Sequence, residues 1–303
     1  MVPASGGSEG SDVIGSTSDW VDRGDGRRHA VVDVFSTDPF RGNPVAVVLD
    51  GDGLEDEDMA AISRWTNLSE TTFLLPPTTA EADYRVRIFT PSTELPFAGH
   101  PTLGSCRAWL AGGGSPRHEG RIVQECGVGL VEVAVQGEEA LAFRAPAPVR
   151  TGPLEPALLA EVVAALGVAP SAVLASAHVD NGPGWVAVLL GTADEVLAIE
   201  VTDSPHAIGV VGFHPHGAGA AYEVRAFFPE SGLSIEDPVT GSLNASVAQW
   251  LLAEGRVTAP YRATQGGRVG RTGVIEVAQD RAGDVWVGGA ATVRVIGWLA
   301  AGR

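Results

Sequence analysis

Two stretches of the chain set ionisable residues beside glycine and proline, just ahead of apolar runs. Residues 89–110 read FTPSTELPFAGHPTLGSCRAWL and residues 227–251 read FFPESGLSIEDPVTGSLNASVAQWL. At a constant offset of 137, His100, Pro101, Gly104 and Ser105 fall on Asp237, Pro238, Gly241 and Ser242; upstream, Pro91 and Pro229 match at 138. In both copies the proline suits the first helical position, where its missing N–H is not needed. His100 or Asp237 then stands at or near the N-cap. An aspartate there is also an ordinary helix cap. Two such helix starts facing one cleft would aim free N–H groups and positive dipole ends at an anionic small molecule. Gly99 and Gly241 would let the ligand approach the backbone closely.

A third element is Glu70, in the run NLSETTFLL. A carboxyl beside apolar residues loses solvent, and that raises its pKa toward the range useful for general acid/base work. The plain alternative is a surface glutamate at a strand end. Other arrangements carry less chemistry. His214-Pro215-His216 has metal-like spacing, but the intervening proline and the lack of a nearby Cys or carboxylate motif make it a loop. Gly217-Ala218-Gly219 and Gly266-Gly267 are turns, since neither links a strand to a helix as a dinucleotide fingerprint must.

The elements that must hold these residues follow from periodicity. Strands are expected at 29–36, 45–50, 70–77 and 84–91, with a helix over 54–67. A helix over 101–111 stops at Gly112-Gly113-Gly114. Strands at 121–126, 130–136 and 140–146 lead to the proline-rich connector 145–156, the best interdomain boundary. A helix over 156–168, strands at 184–190 and 222–229, and a helix over 238–254 repeat the pattern. Strands near 272–278, 284–288 and 291–298 finish the chain. The two repeated helices are apolar on most faces and so need wrapping. Each half therefore reads as a curved sheet or barrel around a central helix, the product of a domain duplication. Residues 1–28, rich in Gly, Ser and Asp, read as a flexible extension.

Composition narrows the partners. A formal charge of −17 argues against nucleic acid or an anionic membrane surface. No window reaches the ~18 apolar residues a membrane helix needs. With no basic-then-apolar N-terminus and only two cysteines, Cys106 and Cys126, a cytoplasmic setting is expected. Both thiols read as small buried apolar groups.

DPFRGNPVAVV, TNLSETTF, FTPSTELPFAGHPTLG and EDPVTGS together resemble the PhzF family of phenazine-biosynthesis-type isomerases. Diaminopimelate epimerase and proline racemase are more distant likenesses. The resemblance runs from about residue 29 to the C-terminus. It implies an α+β, diaminopimelate epimerase-like fold of two pseudo-symmetric domains, each a mostly antiparallel barrel-like sheet around a central helix. The first would span 29–147 plus about 290–303, and the second 148–289. It also implies cofactor independence, a homodimer, a small carboxylate substrate and a role in secondary metabolism. Residue by residue, Glu70 matches the catalytic acid/base, and His100, Asp237 and Ser242 match other active-site polar groups. Gly99, Pro101, Thr102 and Gly241 would border the substrate. Epimerases and racemases of this kind use one thiol from each domain at the helix starts, where this chain has His100 and Asp237. The expected reaction is a proton shift with double-bond migration served by Glu70 alone. Epimerisation of an amino-acid derivative and a non-catalytic carboxylate-binding module are the alternatives.

Overall fold

A computed structural model of the chain describes residues 26–230 and 232–300. Most of the expected N-terminal extension, residues 1–25, lies outside the described residues. The first half runs β1 (Arg27–Val34), β2 (Asn43–Val48), α1 (Asp56–Thr66), β3 (Thr71–Leu75), β4 (Tyr84–Phe89), β5 (Glu94–Leu95), α2 (Gly99–Ala111), β6 (Arg121–Cys126), β7 (Gly129–Val135) and β8 (Ala140–Arg144). β9 (Arg150–Gly152) and α3 (Pro156–Leu166) connect it to the second half. That half runs β10 (Ala175–Asp180), β11 (Val186–Thr192), α4 (Ala193–Leu197), β12 (Ile208–Phe213), β13 (Tyr222–Glu230), β14 (Leu233–Asp237), α5 (Gly241–Ala253), β15 (Tyr261–Gln265), β16 (Gly273–Gln279) and β17 (Val285–Leu299).

The strand pairings repeat step for step. β1–β2 and β10–β11 are antiparallel, whereas β2–β3 and β11–β12 are parallel. β4 pairs antiparallel with β3 and β5 and parallel with β6; β13 does the same with β12, β14 and β15. β6–β7–β8 and β15–β16–β17 complete each series with antiparallel pairs. β17 serves both halves. Val285–Gly288 pair with β16, Trp286–Ala290 with β8, and Ala291–Leu299 with β1. The pairs β8–β17 and β17–β1 thereby close the first half into a mixed barrel.

Alternation drives the wrapping. In β4, Tyr84, Val86 and Ile88 are buried while Arg85 and Arg87 are less so. The inward side chains of both halves join one apolar core that includes Leu103 and Cys106 of α2 and Leu243, Val247 and Leu251 of α5. Such helices do not need a polar stripe, because strands surround them. Gly104 lets α2 lie against the sheet: a Cβ there would come within 2.2 Å of Val45.

Several boundaries differ from expectation. β1 starts at Arg27, where Arg28 pairs with Asp50 at 2.6 Å. β5, β9, β10 and β14 are too short or too polar to show period-two patterning. The two terminal strands expected near 284–288 and 291–298 are the single strand β17, which carries Gly288-Gly289 in its interior. No helix among the described residues is long and apolar enough to cross a membrane.

The repeat itself has another register. In the β4–β5 hairpin Phe89 stands opposite Glu94, and in the β13–β14 hairpin Phe227 stands opposite Glu236. From there Glu94, Pro96 and Gly99 correspond to Glu236, Pro238 and Gly241, an offset of 142. The second hairpin is four residues longer. The Gly-Ser match at offset 137 is therefore coincidental, and Ser105 sits deep in the barrel, donating to Thr72 at 2.8 Å. Structurally, His100 corresponds to Ser242 and Asp237 to Leu95.

Candidate active site

Both helix starts are corrected by this register. α2 begins at Gly99 after Ala98, so Pro101 falls at the third helical position, still within the first turn. α5 begins at Gly241 after Thr240, and Asp237 ends β14 instead of capping a helix. Neither Ala98 nor Thr240 supplies a side-chain cap. The two helices meet start to start. A Cβ on Gly99 would lie 2.6 Å from the Gly241 backbone, and one on Gly241 would lie 2.8 Å from that of Gly99. These glycines are required by helix-to-helix contact, a reason the sequence did not show.

A cleft opens beside this junction. Its wall includes Ser69 and Glu70 from the turn before β3, Ala98 before α2, Trp185 before β11, Phe228 and Glu230 of β13, Glu236 and Asp237 of β14, and Thr240 and Ser242 at the start of α5. Of the expected residues, Glu70, Asp237 and Ser242 reach it. His100 lies behind Glu70, with its Nε2 3.2 Å from Glu70 Oε2, close but out of line for a hydrogen bond. Gly99 and Gly241 form the junction underneath. Pro101 and Thr102 are buried inside the barrel, where the Thr102 hydroxyl donates to the Ala98 carbonyl and accepts from Gln124.

Asn43 joins these groups and was not anticipated. The motif GNP reads as a turn in sequence, but Asn43 is fully buried. Its amide nitrogen lies 2.9 Å from the Val239 carbonyl, 3.1 Å from Asp237 Oδ1 and 3.3 Å from His100 Nδ1. Thr240 donates to the other oxygen of Asp237. Gln265 holds the turn from below by accepting from the Thr240 N–H and donating to the Asp237 carbonyl. On the far wall, the Trp185 indole donates to Ser242 Oγ at 3.1 Å and packs edge-on to Phe228. Asn181 donates to the Ser242 carbonyl at 2.8 Å. No periodicity marks these residues, because their partners sit on other elements: Asn43 reaches across to the second half, and Trp185, Asn181 and Gln265 reach the start of α5.

Burial sets the charge states. The Glu70 side chain is 13% exposed. Loss of solvent, then the nearby charges of Asp237 and Glu230, push its carboxyl well above the usual range. Burial also raises Asp237, against hydrogen bonds from Thr240, Asn43 and Ser69 that favour its ionised form. Burial lowers His100 to about 3, so its imidazole is neutral at ordinary pH. Cys106 is fully buried in α2 and its thiol is pushed up to about 12; Cys126 is only partly buried, at the end of β6. Neither cysteine is on the cleft wall. Among the described residues no cluster of His, Cys, Asp or Glu has the arrangement of a metal centre. The site thus pairs a proton-retaining carboxyl with a neutral imidazole, beside an aromatic wall and two uncapped helix starts.

The family profile described as "PhzC-PhzF: Phenazine biosynthesis-like protein" matches residues 32–297. The chain is 37% identical over 287 residues to antisense-enhancing sequence 1 of Schizosaccharomyces pombe, covering 88% of this chain and 96% of that protein. It is 34% identical over 270 residues to the trans-2,3-dihydro-3-hydroxyanthranilate isomerase of Pseudomonas aeruginosa, covering 85% and 92%. The crystal structure of the PhzF-family phenazine biosynthesis protein of Bacillus anthracis has the same fold, with a TM-score of 0.75 at 21% identity over 90% of this chain and 98% of that one. A match across this span, with relatives this similar over most of their length, makes the chain an isomerase of the phenazine biosynthesis-like PhzC-PhzF family.

Proposed function

We propose that this isomerase shifts a proton, with migration of a double bond, in a small unsaturated carboxylic acid of secondary metabolism. Glu70 acts as base and then as acid. Its carboxylate takes a proton from carbon, the electron pair spreads over the conjugated system, and the new carboxylic acid returns the proton to another carbon. The observation that carries this reading is the one-sidedness of the carboxyl. Thr71 stands opposite Phe89 in β3–β4, and Ile208 stands opposite Phe227 in β12–β13. The residue before each is Glu70 in the first half and the buried, apolar Ala207 in the second. Stereoinversion by paired groups needs an acid and a base on opposite faces of a carbon. Here Glu70 has no such counterpart, and the other buried carboxyl of the cleft, Asp237, is held by hydrogen bonds from Thr240 and Asn43.

The uncapped starts of α2 and α5 bring their positive ends together, an arrangement that a substrate carboxylate in the cleft beside their junction would relieve. Trp185 and Phe228 suit a flat, conjugated ligand. Asp237 and Ser242 orient its polar groups. Family resemblance supports a homodimer and a reaction without cofactor; light scattering would then give about twice 31.3 kDa.

The substrate of the Pseudomonas relatives is the first compound to test. In deuterated water, wild type is expected to incorporate deuterium into the isomerised product. Glu70→Gln should fold normally, incorporate none, and lose turnover by about 10²- to 10⁴-fold. Near-wild-type turnover in that variant would sink the assignment. Tight binding of small carboxylates without any exchange would point instead to a binding module.

A further inference from the structure

Asn43 does more than bridge the two halves, and the reasoning rests on hydrogen counting. Its amide nitrogen carries two hydrogens and has no lone pair to offer. Three neighbours crowd it: the Val239 carbonyl, Asp237 Oδ1 and His100 Nδ1. Rotating the amide by half a turn would set its oxygen against a carbonyl oxygen and a carboxylate oxygen, so the orientation is decided by the surroundings. Two of the three neighbours are acceptors by nature and can take both hydrogens. The third, Nδ1 at 3.3 Å, therefore faces a nitrogen that cannot accept from it, and a proton on Nδ1 would point at the amide hydrogens. A neutral imidazole has one ring proton, which must then sit on Nε2. Nε2 is the nitrogen that faces Glu70 Oε2 at 3.2 Å. An imidazolium would set an Nδ1–H against the amide hydrogens, so the same contact opposes protonation of the ring.

We infer that Asn43 is a positioning residue of the isomerase, fixing His100 as the neutral Nε2–H tautomer and thereby keeping a single N–H beside Glu70 from behind the cleft. The inference builds on the role proposed for Glu70 but is measured independently of it. His100 does not line the cleft and acts on the carboxyl, not on the substrate. When Glu70 ionises, the Nε2–H lies 3.2 Å from one oxygen of the carboxylate. The titratable groups facing Glu70 are then His100 from α2, Asp237 from β14 and Glu230 from β13. His100 is the one donor in that set. Because Asn43 also holds Asp237, the amide ties the state of the first half to the position of the second.

The test is the tautomer of His100 in ligand-free protein, read from its two ring ¹⁵N shifts in long-range ¹H–¹⁵N spectra. The signals are assigned by their loss in His100→Gln. Wild type is expected to show the Nε2–H form; an Nδ1–H form or an imidazolium at neutral pH overturns the inference. In Asn43→Asp the new carboxylate accepts from Nδ1–H, so His100 should switch tautomer or become charged. Turnover should then fall about tenfold or more with little change in KM, as a misplaced ring proton does elsewhere. If the added charge prevents folding, Asn43→Ala replaces it and should show a mixture of tautomers. Retention of pure Nε2–H in whichever variant folds would also overturn the inference. None of these spectra depends on Glu70 being the base, so failure there and failure of the tautomer lock are separable.

Discussion

Glu70 holds its proton more tightly in the folded chain than in the open one. Above its unfolded pKa, near 4.5, the folded state therefore binds more protons than the unfolded state, and stability falls as pH rises through the folded value. Glu70→Gln keeps the shape and removes the titration. The variant should melt above wild type at about pH 8 and level with it at about pH 4; equal Tm values at the higher pH would contradict the burial argument. The same shift fixes one limb of the activity profile. With Glu70 as the proposed base, kcat/KM should rise as pH climbs through a value above that of an ordinary glutamate. His100 works in the opposite direction: lowered to about 3, it subtracts stability as pH falls below its unfolded value of 6.5, because the unfolded ring takes up a proton first. Glu70 and Asp237 stood out in sequence by residue type beside an apolar run and a proline, and Ser242 through the family resemblance; all three line the cleft. Asn43 and Trp185 did not stand out. Burial of a polar side chain depends on partners far along the chain, 57 positions for Trp185 and Ser242 and 194 for Asn43 and Asp237.

The helices α2 and α5 were legible as elements. Both are apolar nearly all round, and the first is closed by a glycine run. Their alignment was not legible, because the insertion lies in the β13–β14 hairpin and a chance Gly-Ser pair restored an apparent match beyond it. The glycines at the two helix starts show what a sequence cannot say about close approach. Gly99→Ala would drive a methyl into the backbone of Gly241, which has no flexible end to yield. The expected destabilisation is about 1–3 kcal/mol, read as a lowered midpoint in urea. Activity should fall further than stability, since the helix that shifts carries His100. Unchanged stability would mean that the two starts are not packed as described.

At the scale of the molecule, duplication was legible, whereas the sharing of β17 was not. A continuous fifteen-residue strand looked like two strands because Gly288-Gly289 interrupts its apolar pattern. A fragment ending at Val149 keeps β1 to β8 yet lacks the strand that joins β8 to β1. It should show no cooperative thermal transition by circular dichroism, and a sharp transition would show that the first barrel closes without β17. Because β1 pairs with residues up to Leu299, the first half cannot finish its barrel until the chain has been made as far as β17. On the ribosome it waits with two unpaired edges, exposed to whatever strand comes near. The order of synthesis and the order of folding are thus reversed for this half, and growth conditions that slow translation should lower its yield more than they lower its stability.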